Sequence, residues 1–258
     1  MESVLFEKKG PIAYIILNRP KMRNSLSLEL MEILKKKIIK VSKDKDLKVI
    51  IIKGNGPSFC AGHDLYELVG EKYSIHHFRE IFTKCSEIMK LLHKIPQVVI
   101  AQVHGIATAA GCQLVAACDL ATCEENARFA TPGVKIGLFC STPMVPLSRI
   151  IGRRRALDML FTGRFVSSEE AQSFGLINRV YKKGDLEGKT RKWAEEISKT
   201  SRLTLSIGKE AFYTQVNQNE EKAYDYSKEI ISLNCLTEDA QEGMSAFIEK
   251  RKAKWKEK

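Results

Sequence analysis

Apolar residues near the start of the chain follow two kinds of spacing, which predict strands and a helix. Residues 4–7 and 12–17 lie on either side of a Lys-Lys-Gly-Pro turn, and this pattern predicts an antiparallel strand pair. Ser27 is a candidate helix N-cap, because apolar residues recur at helical spacing immediately after it. Those residues are Leu30, Met31, Leu34, Ile38 and Ile39.

Continuous apolar runs further along predict strands that are buried on both faces. Residues 49–52 and 98–103 form two such runs, and a helical pattern near residues 75–93 lies between them. A shorter strand pattern follows at residues 119–122, and one more apolar segment lies at residues 176–180. Strands that alternate with helices in this way predict an α/β architecture with a parallel sheet.

Helical spacing dominates the last part of the chain, from about residue 167 onward. The length of 258 residues fits one large domain or a core with a helical appendage. We therefore divide the chain into an α/β core at residues 1–199 and a C-terminal helical region at residues 200–258. The sequence contains no long linker or low-complexity tract between them.

The net charge of +11 raises the question of a nucleic-acid partner. Lysines are spread along the whole chain, and no zinc-finger or aromatic RNA-binding pattern accompanies them. We predict no nucleic-acid partner and assign part of the charge to steering of a small phosphate-bearing ligand. Nucleic-acid binding is the main alternative outside the enzymes, and it would show steep salt dependence.

The cysteines and the apolar stretches indicate in which cellular compartments the protein can be expected. The seven cysteines contain no C-x-x-C pair, which predicts reduced and buried thiols. No apolar stretch approaches the roughly 20 residues of a membrane span. The first residues match neither a signal peptide nor a transit peptide. We predict a cytoplasmic protein, or a mitochondrial matrix protein after removal of a targeting segment.

Two loops of small residues follow the predicted buried strands. They are residues 58–65 and 103–114, and ligands gather at the carboxyl ends of parallel strands. The second loop opens a helix, whose first N–H groups lack partners inside the helix. A pair of backbone N–H groups from these loops could hold a thioester oxygen as it becomes an oxyanion. The alternative is that the small residues only allow close packing of helix and sheet.

Several segments together resemble the enoyl-CoA hydratase/isomerase (crotonase) superfamily, in order and over essentially the full chain. They are LNRPKMRNSL at 17–26, FCAGHDL at 59–65, residues 105–119, FATP at 129–132, LFTG at 160–163, Ala171 with Gly175 and Leu176, and EGMSAFIEKRK at 242–252. Residues 107–114 and 137–143 are similar to its branch called enoyl-CoA hydratase domain-containing protein 3.

The resemblance implies a crotonase-type spiral of ββα units followed by a C-terminal helical trimerisation region. A homotrimer or a dimer of trimers is expected. The ligand would be an acyl-CoA thioester, with coenzyme A as part of the substrate and no separate cofactor or metal. The resemblance places the oxyanion-hole donors at the backbone N–H groups of His63 and Ala110.

The same resemblance implies residues for the coenzyme. Ala61, Asp64 and Leu65, beside His63, would line its adenine and pantetheine side. Arg23 and Lys256 would contact its phosphates.

The acids that hydrate an enoyl thioester are missing from this sequence. The family commonly uses two glutamates, and their positions correspond to Gln113 and Gly133. A related subfamily uses an aspartate slightly further along, at the position of Cys140. A glutamine does not titrate and glycine has no side chain, so ordinary hydratase activity is not expected.

Three alternatives follow from a retained oxyanion hole without its acids. Another group could act as acid or base, and the candidates are Cys140, the His63 side chain, Asp64 and Glu67. The protein could instead catalyse a reaction that needs little beyond enolate stabilisation, such as decarboxylation of a malonyl-type thioester. It could also be a non-enzymatic acyl-CoA binder or a structural partner.

Overall fold

A computed structural model of the chain describes residues 2–69 and 74–258. The strands are β1 Val4–Lys9, β2 Ile12–Leu17, β3 Val49–Gly54, β4 Val98–Val103, β5 Ile106–Thr108, β6 Leu120–Glu124, β7 Arg128–Ala130, β8 Val166–Ser167 and β9 Arg179–Tyr181. The helices are α1 Leu28–Ser42, α2 Ile75–Lys94, α3 Ala110–Ala117, α4 Met144–Ile150, α5 Arg153–Thr162, α6 Ser168–Phe174, α7 Leu186–Ser198, α8 Arg202–Gln215, α9 Glu220–Cys235 and α10 Glu238–Ile248.

The larger sheet has the strand order β1-β2-β3-β4-β6-β9. β1 and β2 pair antiparallel, which confirms the predicted strand pair, and the pairs from β2 to β9 are parallel. The helix α1 connects β2 to β3, and its N-cap is Ser27, whose side chain accepts a hydrogen bond from the Leu30 N–H. The α/β prediction is therefore confirmed.

The side chains of β3 enter two different cores because successive residues of a strand point to opposite faces. Ile50 and Ile52 pack in the large core that also contains residues of α1, α2 and α3. Val49 and Ile51 pack in a smaller core that Trp193 of α7 borders. Helices thus cover both faces of the sheet, as the continuous apolar runs predicted.

A smaller sheet joins β5, β7 and β8, and the sequence did not predict it. β5 lies inside the segment that was predicted as a small-residue turn, and it pairs in parallel with β7. Isolated bridges continue the same pattern, since Cys60 pairs with Ala107 and Leu26 pairs with His63. Successive turns of the chain therefore place their loops side by side at one end of the large sheet.

The apolar segment at residues 176–180 is divided between a helix end and a strand. Only Arg179–Tyr181 form β9. Gly175 ends α6 in the left-handed conformation, and the Leu176 N–H donates to the Ala171 carbonyl. The buried apolar residue Leu176 therefore belongs to the end of α6, and the strand begins only at Arg179.

A buried ion pair attaches α8 to the core. Lys209 donates to Asp119 Oδ2 at 2.6 Å and to the Gln97 carbonyl at 2.7 Å, and the Tyr213 hydroxyl donates to Asp119 Oδ1 at 2.8 Å. Burial lowers the pKa of Lys209, and Asp119 opposes that effect. Within α9, whose residues are all described, none is buried. The boundary between residues 1–199 and 200–258 stays a prediction.

Across residues 2–69 and 74–258, no helix combines the length and apolar character that a bilayer crossing needs.

Replacing Lys209 with methionine should lower the free energy of unfolding by about 3 kcal/mol, because the Asp119 carboxylate would stay buried without its cation. Urea denaturation measures the change. The matched control is Lys228→Met, which removes an exposed lysine paired with Asp225 and should leave the midpoint unchanged. Equal midpoints for the two variants would show that the buried pair does not secure α8.

Candidate active site

The loop after β3 is held in place by Asn24. Its side-chain amide donates to the carbonyls of Asn55 and Ser58 at 2.9 and 2.8 Å, and its carbonyl oxygen accepts from the Arg19 N–H. Asn24 is fully buried and has a φ of 56°, a conformation that asparagine tolerates better than most residues. The LNRPKMRNSL segment therefore acts as a support for the loop that reaches His63.

The backbone of His63 points its N–H away from the neighbouring segment. Leu26 donates to the Gly62 carbonyl at 2.7 Å and accepts from the Asp64 N–H at 3.2 Å. In this parallel bridge, the His63 N–H faces the other side. Within the described part of the chain, that N–H donates no hydrogen bond.

The second donor lies at the start of α3. Ala109 has φ 49° and ψ −118°, a strained conformation for a residue with a Cβ, and its N–H donates to the Ala130 carbonyl. Ala110 follows as the first helical residue, so its N–H has no partner inside the helix. Among the described residues it donates to none.

Gly62 brings the two donors together. A Cβ at Gly62 would lie 2.9 Å from Ala109 Cβ and 3.5 Å from the Ala110 nitrogen, and φ is +103°. The next peptide nitrogen belongs to His63, so the two free N–H groups are neighbours. Such a pair at the positive end of a helix can hold a developing negative charge. The structure thus brings together the two donors that the resemblance implied.

An ion pair that the sequence did not predict secures this loop. Arg19 donates to Asp64 Oδ2 at 2.8 Å and to the Ser25 carbonyl at 2.9 Å. The Asp64 side chain is 6% exposed, and its other oxygen accepts from the Tyr66 N–H. Asp64 therefore orients the loop, which weakens its candidacy as acid or base. The only sequence signal for Arg19 was its place in the LNRPKMRNSL segment.

Gln113 lies one helical turn after Ala110 and is buried. The Cys85 thiol donates to its Oε1 at 3.9 Å, so the amide group faces α2 at that side. A carboxamide at this position can donate or accept a hydrogen bond but does not accept a proton at neutral pH.

The Gly133 position has no space for a side chain. A Cβ there would lie within van der Waals overlap of the Leu138 carbonyl oxygen and 2.8 Å from Cys140 Sγ. The Leu138 N–H donates to the Gly133 carbonyl at 2.9 Å, which fixes that segment. The backbone around Leu138 therefore occupies the space that a side chain at residue 133 would need.

The remaining acid/base candidates are poorly suited to proton transfer. Burial raises the pKa of the Cys140 thiol, so the thiol keeps its proton at neutral pH. The Glu67 carboxylate accepts from the Leu28 N–H at 2.8 Å and so caps α1. Burial lowers the pKa of His63 to about 4, so its ring is neutral at pH 7. Among the described residues, neither ring nitrogen has a hydrogen-bond partner.

The predicted coenzyme residues fall into two groups. Arg23 is exposed, and its carbonyl accepts from the Ala61 N–H at 3.0 Å, so both lie beside the oxyanion loop. Leu65 is exposed just after that loop. These positions are compatible with a ligand that extends outward from the two donors.

Lys256 lies at the opposite end of β3. Its N–H donates to Asp239 Oδ1, and the next residue, Glu257, pairs with Lys48 at 2.8 Å. Lys48 directly precedes β3, whereas the oxyanion loop follows it, and six residues of strand span roughly 20 Å. A role of Lys256 in holding the coenzyme of its own chain is therefore not supported. The carboxylate of Asp239 turns the tail back onto the core.

Gly133→Ala should lower the free energy of unfolding by about 1–3 kcal/mol, because the added methyl group overlaps the Leu138 carbonyl. Thermal or urea unfolding measures it. The control is Gly188→Ala in α7, where a Cβ meets no atom within 4 Å and should stabilise by about 0.5–1 kcal/mol. A Gly133→Ala variant as stable as the original would show that the Leu138 segment gives way and that a glutamate could fit.

Known proteins resemble this chain throughout its length. The family model described as enoyl-CoA hydratase/isomerase matches residues 7–258. The Mus musculus protein named enoyl-CoA hydratase domain-containing protein 3, mitochondrial, is 46% identical over 244 residues, which cover 95% of this chain and 81% of that protein.

Solved structures agree with this relationship. The crystal structure of human enoyl Coenzyme A hydratase domain-containing protein 3 superposes with a TM-score of 0.95 at 43% identity, covering 98% of this chain and 100% of that one. An enoyl-CoA hydratase from Mycobacterium smegmatis gives 0.96 at 39% identity, covering 98% of both chains. The chain therefore belongs to the enoyl-CoA hydratase/isomerase (crotonase) family and, within it, to the branch of enoyl-CoA hydratase domain-containing protein 3.

Proposed function

We propose that the protein binds an acyl-CoA thioester and holds the thioester oxygen between the N–H groups of His63 and Ala110. The observation that supports this proposal is the close approach of Gly62 to Ala110, since the N–H groups of His63 and Ala110 donate to none of the described residues. The donors belong to rigid backbone, so they need no rearrangement when charge develops.

The chemical effect of such a pair is stabilisation of an enolate. When a carbon–hydrogen or carbon–carbon bond at the α-carbon breaks, its electron pair moves onto the thioester oxygen. Each backbone donor aimed at that oxygen can lower the barrier by roughly 3–4 kcal/mol. This supports reactions that pass through a thioester enolate.

Ordinary hydration is not part of the proposal. Hydration needs a base that takes a proton from the attacking water and an acid that gives a proton to the α-carbon. Gln113 and Gly133 supply neither group. Cys140 is protonated at neutral pH, and the carboxylates of Asp64 and Glu67 are engaged in structural contacts. The site therefore supports binding with enolate stabilisation over hydratase chemistry.

Two alternatives keep the same oxyanion hole. A malonyl-type thioester could lose carbon dioxide, because the released electron pair would move onto the held oxygen and water would later protonate the α-carbon. A non-enzymatic role in binding acyl-CoA needs no proton transfer. The absence of a free acid or base among the site residues described above favours both over hydration.

A mitochondrial location and a homotrimer or dimer of trimers complete the proposal. The Mus musculus relative carries the word mitochondrial in its name. Large apolar side chains stay exposed on the C-terminal helices, with Leu236 at 79%, Phe247 at 85% and Ile248 at 78%. Patches of this kind usually mark protein–protein contacts.

The thioester-binding proposal is tested by isothermal titration with crotonyl-CoA and with free coenzyme A. Gly62→Ala should weaken crotonyl-CoA binding about tenfold, the effect of losing roughly one hydrogen bond to the neutral thioester oxygen, and should leave free coenzyme A unchanged. The reason is that the new methyl group pushes against Ala109 and separates the donors.

The control for this experiment is Gly10→Ala, which also has a positive φ, at +57°, but has no atom within 4 Å of the new methyl group. It should bind both ligands normally. If Gly62→Ala weakens free coenzyme A as much as crotonyl-CoA, the two donors do not contact the thioester.

Light scattering should give a mass of three or six times the 29.2 kDa of one chain. The double variant Phe247→Ser, Ile248→Ser should shift that mass toward a single chain, because the exposed apolar side chains of α10 would no longer be buried between subunits. A monomeric original protein would contradict the proposed assembly.

A further inference from the structure

Gln113 places a polar side chain next to the free N–H group of Ala110. It is 3% exposed and lies three residues after Ala110 in α3. Residues three apart on a helix are neighbours on its surface, with about 5–6 Å between their Cβ atoms. A thioester oxygen held at the Ala110 N–H therefore brings the substituents of the α-carbon within reach of Gln113.

The Cys85 thiol of α2 fixes the orientation of the Gln113 carboxamide. Burial raises the pKa of that thiol to about 12, so the thiol keeps its proton and acts as a donor. It donates to Gln113 Oε1 at 3.9 Å, which turns Nε2 away from Cys85. Within the described part of the chain, the Gln113 side chain makes no other hydrogen bond. The N–H donors of Nε2 are therefore free for a ligand.

These donors face a cleft with a volume of about 1130 Å³. Gln113 lines the cleft, whereas Cys85, the partner of Oε1, is not among the described residues that line it. Nε2 is thus the part of the amide that remains on the open side. A nearly buried donor without a partner costs free energy, so this position favours a ligand with a hydrogen-bond acceptor.

The charges around the cleft favour an acceptor that is an anion. The described charged residues in its lining are Lys90, Lys94, Arg149, Asp119 and Glu210. Asp119 already forms an ion pair with Lys209, so three cations face one remaining carboxylate. An excess of one charge in a cleft raises the local concentration of ligands with the opposite charge.

The carboxylates near the oxyanion loop are already engaged. Asp64 is paired with Arg19 at 2.8 Å, and Glu67 accepts from the Leu28 N–H at 2.8 Å. A glutamate at residue 113 would add a negative charge beside the held thioester and repel an anionic acyl group. The glutamine supplies N–H donors at the same place without that charge.

We propose that the Gln113 carboxamide binds a carboxylate on the acyl group, so that the protein selects malonyl-type thioesters over neutral acyl-CoA. The inference rests on the proposed function, because the thioester must first be held at His63 and Ala110. A malonyl group fits this arrangement, since its carboxylate follows directly on the α-carbon and accepts hydrogen bonds through both oxygens. Gln113 is then the residue that determines specificity, while the backbone donors hold the thioester oxygen.

The test is isothermal titration with malonyl-CoA and isovaleryl-CoA. The isopropyl group of isovaleryl-CoA has the branched shape of the malonyl carboxylate but carries no charge. Malonyl-CoA should bind about tenfold more tightly, the effect of roughly one hydrogen bond to a charged group. Chromatography after each titration measures acetyl-CoA, and where acetyl-CoA forms, its initial rate replaces the malonyl-CoA affinity in the comparison of variants.

Two variants of Gln113 separate lost donors from added charge. Gln113→Leu removes the donors and should lower the ratio of malonyl-CoA to isovaleryl-CoA affinity about tenfold. Gln113→Glu adds a negative charge with nearly the same shape and should lower that ratio about a hundredfold. The control Gln241→Glu adds the same charge at an exposed position of α10, which is not among the described residues lining the cleft, and should leave the ratio unchanged.

The outcomes separate this inference from the proposed function. Equal affinities of the original protein for the two thioesters, or an unchanged ratio in Gln113→Glu, would show that the carboxamide does not select a carboxylate. The inference would then be wrong, and the thioester site would stand. If neither thioester binds more tightly than free coenzyme A, the proposed function fails with it. Retained isovaleryl-CoA binding shows that a variant is folded.

Discussion

The architecture of the site depends on the close approach of two backbone segments at Gly62 and Ala110. A single methyl group at Gly62 would meet Ala109 at 2.9 Å, and Gly111 similarly lies against Cys60, with no room for a Cβ. Each of these loops follows a parallel strand, and the pairing of the strands and bridges holds the loops side by side. The positions of the free N–H groups of His63 and Ala110 are therefore a property of the main chain.

The position of a main-chain N–H group does not depend directly on the identity of the side chains around it. The side chains of Gln113 and Cys140 therefore do not set the positions of the N–H groups of His63 and Ala110, which belong to the backbone. At Gly133 there is also no space for a side chain, since the Leu138 carbonyl fills that space and a hydrogen bond holds the segment in place. Recovery of a carboxylate at this position would require the backbone to move as well.

Elements that depend on local sequence pattern were predicted from the sequence. Features that depend on contacts between distant residues were missed. The apolar runs of β3 and β4 and the Ser27 cap are local signals, and they were confirmed. β5 was missed because a strand of only three residues, beside a run of small residues, forms through its pairing with β7. The Arg19–Asp64 pair joins residues 45 positions apart, so neither spacing nor composition could connect them. The resemblance in the sequence named His63 and Ala110 as candidate donors. Only the structure could show how close the two loops lie.

The C-terminal tail is bound to the core of its own chain, and these contacts fix the position of Lys256. The Asp239 carboxylate accepts hydrogen bonds from the N–H groups of Lys256 and Glu257. Glu257 also forms an ion pair with Lys48, which directly precedes β3. These bonds use the tail to secure α10 to the core, just as Lys209 secures α8. Lys256 is therefore anchored near the start of β3, and the six residues of that strand, roughly 20 Å, separate this end of the sheet from the loop at residues 58–65.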